Sequence, residues 1–268
     1  MIATRALVDA LVRADDTVDA GELYAVAGTL GMTDQQVRLC VKRLVAEGRY
    51  THEGRGRRAL LRATAATAND AEFVHFAHRQ DRGLEPWDGR WRFVAFAIPE
   101  TARAARDSFR DALGHLGGAA VQGGLYVSPH DWDDLVDAEV ARLGVGAGVT
   151  RLTSTDLRVG GEGDPRRLAG ALWPLDEIAG RHRDLAALAR ATLDRLDGLT
   201  TVELLAAAVE LTAAYTRAME PDPLLPPELL PRPWPGTEAR DLSARCLAAL
   251  GDRADPGSMI RLFRRYAR

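Results

Sequence analysis

The sequence predicts an α+β protein in three parts: an N-terminal winged helix-turn-helix, a central ferredoxin-like domain of order βαββαβ, and a helical C-terminal domain. Three observations predict it. Residues 33–61 read as a basic helix followed by a hairpin whose turn is packed with arginine. Residues 87–159 alternate strand and helix periodicities in the order βαββαβ. From Asp164 onward the apolar spacing is helical, interrupted by one proline-dense arm. The expected boundaries are 1–68 for the DNA-binding module, 69–86 for a linker helix, 87–163 for the central domain and 164–268 for the C-terminal domain.

In the first part, Thr4 to Arg13 places Leu7, Val8, Leu11 and Val12 on one side of a helix. Asp19 is positioned to cap a second helix, in which Leu23, Val26, Ala27 and Leu30 recur at i, i+3, i+4 and i+7. Gly31-Met32 makes the tight turn into a third helix. There Thr33 is the N-cap and Gln36, three residues later, completes a capping box. Val37, Cys40, Val41, Leu44 and Val45 define the buried face of this helix. At steps of about 100° per residue, Gln35, Arg38, Leu39 and Lys42 gather on the opposite side. Gly48 ends the helix. Tyr50-Thr51-His52 and Ala59-Leu60-Leu61 then pair as short strands around a turn from Glu53 to Arg58, whose glycines permit positive φ angles.

Charge gives this module its expected partner. Between Gln35 and Arg62 there are eight basic residues (Arg38, Lys42, Arg43, Arg49, Arg55, Arg57, Arg58, Arg62) against two acidic ones (Glu47, Glu53), whereas the whole chain is formally −3. A basic patch confined to one helix and the following turn suits phosphate contacts and steering toward double-stranded DNA. The candidate DNA-binding residues are Gln35, Gln36, Arg38, Leu39, Lys42 and Arg43 on the helix, with Arg55, Arg57 and Arg58 in the wing. A plain solvated helix beside a surface hairpin is the competing reading. It leaves the agreement of helix face, turn and wing without a cause.

The bulk composition narrows the field. With 46% hydrophobic and 27% charged residues over 268 positions, the chain reads as globular and of two or three domains. No apolar run reaches the roughly 18 residues needed to span a bilayer, and the N-terminus lacks a secretory h-region, so a cytoplasmic protein without a membrane partner is expected. Cys40 and Cys246 alone support neither a disulfide framework nor a zinc site. His75 and His78, three apart on the expected linker helix, lack companions for a metal site. No Ser-His-Asp order, P-loop or dinucleotide glycine pattern is present. No catalytic activity, metal or cofactor is therefore expected.

In the centre, Trp91, Phe93, Ala95 and Ala97 alternate with Arg92, Val94, Phe96 and Ile98 in a largely buried strand ending at Pro99. Thr101 to Leu116 is an arginine-rich amphipathic helix. Ala119 to Gln122, Gly123-Gly124 and Leu125 to Ser128 make a hairpin, Asp131 to Leu143 a second helix, and Val149 to Val159 a last strand. Beyond it, Pro174 opens one helix and Thr201 to Glu220 forms another. Glu220 to Gly236 contains seven prolines in 17 residues, interleaved with leucines and Trp234. A flexible linker would be polar and rich in glycine and serine. This segment reads instead as an extended arm packed on a surface.

Three blocks give the chain a resemblance to a known family. They are Val37-Arg38 with Lys42-Arg43-Leu44-Val45-Ala46-Glu47-Gly48; Trp87-Asp88-Gly89-Arg90-Trp91 to Ile98-Pro99-Glu100 with Leu125-Tyr126-Val127-Ser128-Pro129; and Asp222-Pro223-Leu224-Leu225-Pro226 to Leu229-Leu230-Pro231 and Trp234-Pro235-Gly236. In these the chain resembles the PaaX-type transcriptional repressors, regulators of phenylacetate degradation and related aromatic catabolism. The resemblance implies a winged helix, a central domain similar to a small CRISPR-associated nuclease, and a helical C-terminal domain. It also implies a homodimer that binds an operator and is released by a small-molecule effector, an acyl-CoA thioester.

An acyl-CoA needs arginines for its phosphates and apolar walls for its acyl group. Arg92, Trp132, Tyr215 and Trp234 are the candidate effector-binding residues on that ground. Two rival functions remain on the sequence. A metal-dependent nuclease of the CRISPR-associated ferredoxin-like type would need carboxylates at the end of the first central strand, where Ala95 to Pro99 offers none before Glu100. Asp131, Asp133, Asp134 and Asp137 instead sit where a helix N-terminus attracts acidic residues. A ligand-independent architectural DNA-binding protein is the other rival.

Overall fold

The computed structural model describes residues 2–54, 58–64, 84, 86–255, 257 and 259–264. The expected linker-helix core with His75 and His78, and the wing arginines Arg55 and Arg57, lie outside the described residues. In chain order the elements begin with α1 (Thr4–Ala10), β1 (Thr17–Asp19), α2 (Ala20–Thr29), α3 (Asp34–Ala46), β2 (Tyr50–Glu53) and β3 (Leu60–Ala63). There follow β4 (Trp91–Phe96), α4 (Arg103–His115), β5 (Ala119–Gln122), β6 (Leu125–Ser128), α5 (Asp133–Leu143) and β7 (Val149–Ser154). The chain then continues through α6 (Pro165–Leu172), α7 (Leu175–Asp194), α8 (Thr201–Met219), α9 (Pro235–Arg253) and α10 (Arg261–Arg264).

These elements form two compact units. One takes Met1–Asp70, Arg181–Ala218 and Pro235–Arg268; the other takes Ala71–Gly180 and Met219–Trp234. The expected segments 1–68 and 164–268 are therefore regrouped. Leu7, Val8, Leu23, Val26, Val37 and Leu44 share a continuous apolar core with Leu205, Leu211, Cys246 and Leu250 from the C-terminal helices. The physical reason is size. Three short helices and three strands expose more apolar surface than they cover, and the C-terminal helices bury the remainder. Backbone pairing reinforces the join, since the Arg261 amide donates to the Val12 carbonyl at 2.7 Å.

Within the first unit, the three helices pack on an antiparallel sheet of order β1-β3-β2. Asp19 caps α2 as expected, its side chain accepting from the Glu22 amide at 2.8 Å. Strand β1 escapes the sequence pattern. Its three residues are too short for a period of two, and pairing with β3 from Thr17↔Arg62 to Asp19↔Leu60 defines it instead.

The second unit is a four-stranded antiparallel sheet of order β5-β6-β4-β7. With the connections βαββαβ this is the ferredoxin-like arrangement expected from the sequence. Alternation along β4 sends Trp91 and Phe93 to one sheet face and Val94 to the other. Helices α4 and α5 cover the Val94 face with Phe109, Leu113 and Val136. Trp91 and Phe93 pack with Leu168 and Ile178 and with Leu225, Leu229 and Leu230 of the proline arm. The arm is thus a packed clamp, as its interleaved leucines suggest. His130 Nε2 donates to the Pro223 carbonyl at 2.9 Å, and Trp173 Nε1 to the Gly117 carbonyl at 3.0 Å. Strand β7 ends at Ser154, short of the expected Val159, because the Ser154 hydroxyl accepts from the Asp156 amide and turns the chain.

Candidate nucleic-acid interface

Helix α3 is fixed at its start and along one side. The Thr33 amide donates to Gln36 Oε1 at 2.8 Å, and the Gln36 amide donates back to Thr33 Oγ1 at 3.3 Å, the reciprocal cap expected from the sequence. Val37 and Leu44 are buried in the core of the unit. Such a helix has little freedom to roll, so its outer face is presented in one orientation.

That outer face carries the charge. Gln35, Gln36, Arg38, Leu39, Lys42 and Arg43 are all exposed, Leu39 by 57%. Among the described residues, Arg38, Lys42 and Arg43 have no ion-pair partner. Gln36 differs from its neighbours, because its Oε1 is already committed to the cap. Arg58, at the end of the β2–β3 turn, is exposed as well.

The structure sorts the remaining cations differently. Arg49 lies 4.0 Å from Asp9, and Arg62 lies 3.4 Å from Glu53 and 3.5 Å from the Asp15 carbonyl. These two serve the framework. Cys40 sits at the edge of the core, and burial pushes its thiol up more than nearby Arg43 pulls it down, so it stays neutral. A recess of about 310 Å³ beside the helix brings Arg38 together with Tyr24 of α2 and His52 of β2. Tyr24 and His52 were not singled out from the sequence. No sequence signal marks either residue, since β2 buries only Tyr50 and leaves Thr51, His52 and Glu53 exposed.

Within the second unit, the candidate effector residues Arg92, Trp132 and Trp234 are not brought together. Arg92 makes a bidentate pair with Asp88 at 2.8 and 2.6 Å, which pushes its guanidinium pKa up and occupies its donors. Trp132 is buried under α4 and α5, whereas Trp234 packs on the opposite sheet face. Tyr215 belongs to the other unit and packs against its core.

The carboxylates nearest the nuclease reading have local partners or positions. Glu100, the first after β4, pairs with Arg106 at 2.5 Å and Arg103 at 3.8 Å. Asp133 and Asp134 occupy the first turn of α5, and Asp137 pairs with Arg151 at 2.8 Å. Among the described residues no three His, Cys, Asp or Glu side chains converge as metal ligands would. No described helix is long and apolar enough to cross a membrane.

Comparison with known proteins agrees with this architecture. Residues 84–169 match the PaaX protein central Cas2-like domain, and residues 173–257 match the PaaX-like protein C-terminal domain. Among solved structures, an uncharacterized protein, Rv0674 from Mycobacterium tuberculosis, is similar in fold. The TM-score is 0.61 at 21% identity, over 94% of this chain and 97% of that one. Among curated proteins none matches. Fold and matched domains define an α+β protein built around a Cas2-like domain and point to a transcriptional regulator. The two matches together span more than half of the chain, and the chain belongs to the PaaX family.

Proposed function

We propose that the protein is a DNA-binding transcriptional regulator whose α3 enters the major groove of an operator while the β2–β3 turn touches the backbone. The observation that carries this reading is the exposed outer face of α3, where Arg38, Lys42 and Arg43 stand without ion-pair partners among the described residues, on a helix locked by its cap and core. The order α1-β1-α2-α3-β2-β3 supports a winged helix-turn-helix. Arginine at the guanine edge reads sequence, whereas lysine and the turn arginines hold phosphate. Membership of the PaaX family supports a cytoplasmic homodimeric repressor in phenylacetate or related catabolism, released by an acyl-CoA or similar effector. Strand β7 supports the dimer, since it lies at a sheet edge with Leu152 half exposed.

A nuclease reading draws no support from the central domain, where Glu100 and Asp137 are ion-paired and Asp133 and Asp134 are seated at a helix start. The proposed protein is not an enzyme and carries no cofactor. Binding of the purified chain to a random DNA pool, followed by sequencing of the captured fraction, tests the proposal. Enrichment of one sequence motif is expected, and recovery of DNA without any shared sequence would reject it.

A further inference from the structure

Leu39 contrasts with the face of α3 that carries it. Among the described residues of the first unit it is the single exposed large hydrophobic, with 57% of its surface open. At about 100° per residue it lies about 160° around the helix from Val37 and about 140° from Leu44, the two residues that α3 buries. Leu39 therefore stands near the middle of the outward side. The neighbours of a helical side chain are the residues three and four positions away. For Leu39 these are Gln35 and Gln36 on the preceding turn and Lys42 and Arg43 on the following one, all exposed. A surface that docks another protein presents a contiguous apolar patch. A leucine ringed by two amides and two cations does not form one.

DNA supplies the match. Cations around the leucine suit the phosphates that line the groove, while the side chain opposite the buried row meets the base edges. Those edges display hydrogen-bonding groups in the major groove and one apolar group, the 5-methyl of thymine. We propose that Leu39 packs against the 5-methyl group of a thymine and so makes one T·A pair a fixed part of the recognised sequence. The inference rests on the DNA-binding reading above and adds a base to it. Against thymine, methyl and leucine leave water together. Against any other base the leucine displaces water from polar edge groups and offers them no hydrogen bond in return. Leu39 thus selects both by attraction and by exclusion.

Replacing thymine with deoxyuracil removes the methyl and leaves every hydrogen-bonding group in place. Duplexes carrying the motif captured from a random pool, with each thymine replaced in turn, are titrated with the full chain and followed by fluorescence anisotropy. One replacement is expected to weaken wild-type binding about 4-fold, the worth of one methyl removed from water. Leu39→Ala and Leu39→Gln, at an exposed position, should melt like the wild type and bind the thymine and deoxyuracil duplexes equally at that position. A general loss of affinity from a disturbed helix would leave the preference for thymine intact, so the preference reports the contact itself. A captured motif without thymine, wild-type indifference to every replacement, or a thymine preference that persists undiminished in both variants would overturn the proposal. Failure of the wild type to enrich any motif would instead defeat the DNA-binding reading, and the thymine contact with it.

Discussion

The Tyr50 hydroxyl donates a 2.7 Å hydrogen bond to Asp9 Oδ1, joining the first strand of the hairpin to the first helix across 41 residues. Tyr50 is buried, and burial together with the Asp9 carboxylate drives its phenol pKa far up, so it remains a donor at any working pH. The bond holds the base of the hairpin beside α3. Tyr50→Phe should cost about 1.5–3 kcal/mol, the range for a hydrogen bond to a charged acceptor. Urea unfolding monitored by circular dichroism measures it, and an unchanged midpoint would show that the bond contributes nothing.

Arg38 should discriminate between sequences. Arg38→Ala is expected to cost about 1–3 kcal/mol on the specific site while changing random-DNA binding less, as removal of a bidentate guanine pairing does. Gel-shift titrations on both DNAs give the two numbers. Equal losses would place Arg38 on phosphate.

The wing should act through charge. The combined variant Arg55→Ala, Arg57→Ala, Arg58→Ala is expected to lower the slope of log K against log salt by up to about three units, one for each phosphate that is no longer neutralised. A slope equal to wild type would remove the turn from the interface.

His130 should make the second unit acid-sensitive. Burial holds its pKa below the ordinary value of 6.5, outweighing the backbone hydrogen bonds to the arm that raise it. A folded pKa below the unfolded one means that the unfolded chain takes up the proton first. Stability is therefore complete above about pH 6.5 and is lost as pH falls from there through the lower folded value. His130→Gln should flatten this dependence in thermal melts between about pH 7 and pH 5. Parallel curves for the two proteins would contradict it.

What the sequence revealed follows the range of the interaction. The cap of α3 was legible because Thr33 and Gln36 are three residues apart and the geometry is local. The arm was legible because Leu225, Leu229 and Leu230 between prolines have no reason to be apolar unless they are buried. The regrouping of the C-terminal helices was not legible. Leu205 and Leu211 announce a buried helix face but carry no mark of what buries it. The separation of two of the effector candidates was not legible for the same reason: their residue types have the right chemistry, yet only the fold shows that Trp132 and Trp234 lie on opposite faces of a sheet.

The central claim is that the outer face of α3 reads DNA. Its most direct test is sequencing of the DNA captured from a random pool by the wild-type chain and by the combined variant Arg38→Ala, Lys42→Ala, Arg43→Ala, with matched thermal melts to verify folding. The wild type should enrich a defined motif, and the variant, equally well folded because all three side chains are exposed, should enrich none. Enrichment of the same motif by both proteins would contradict the account.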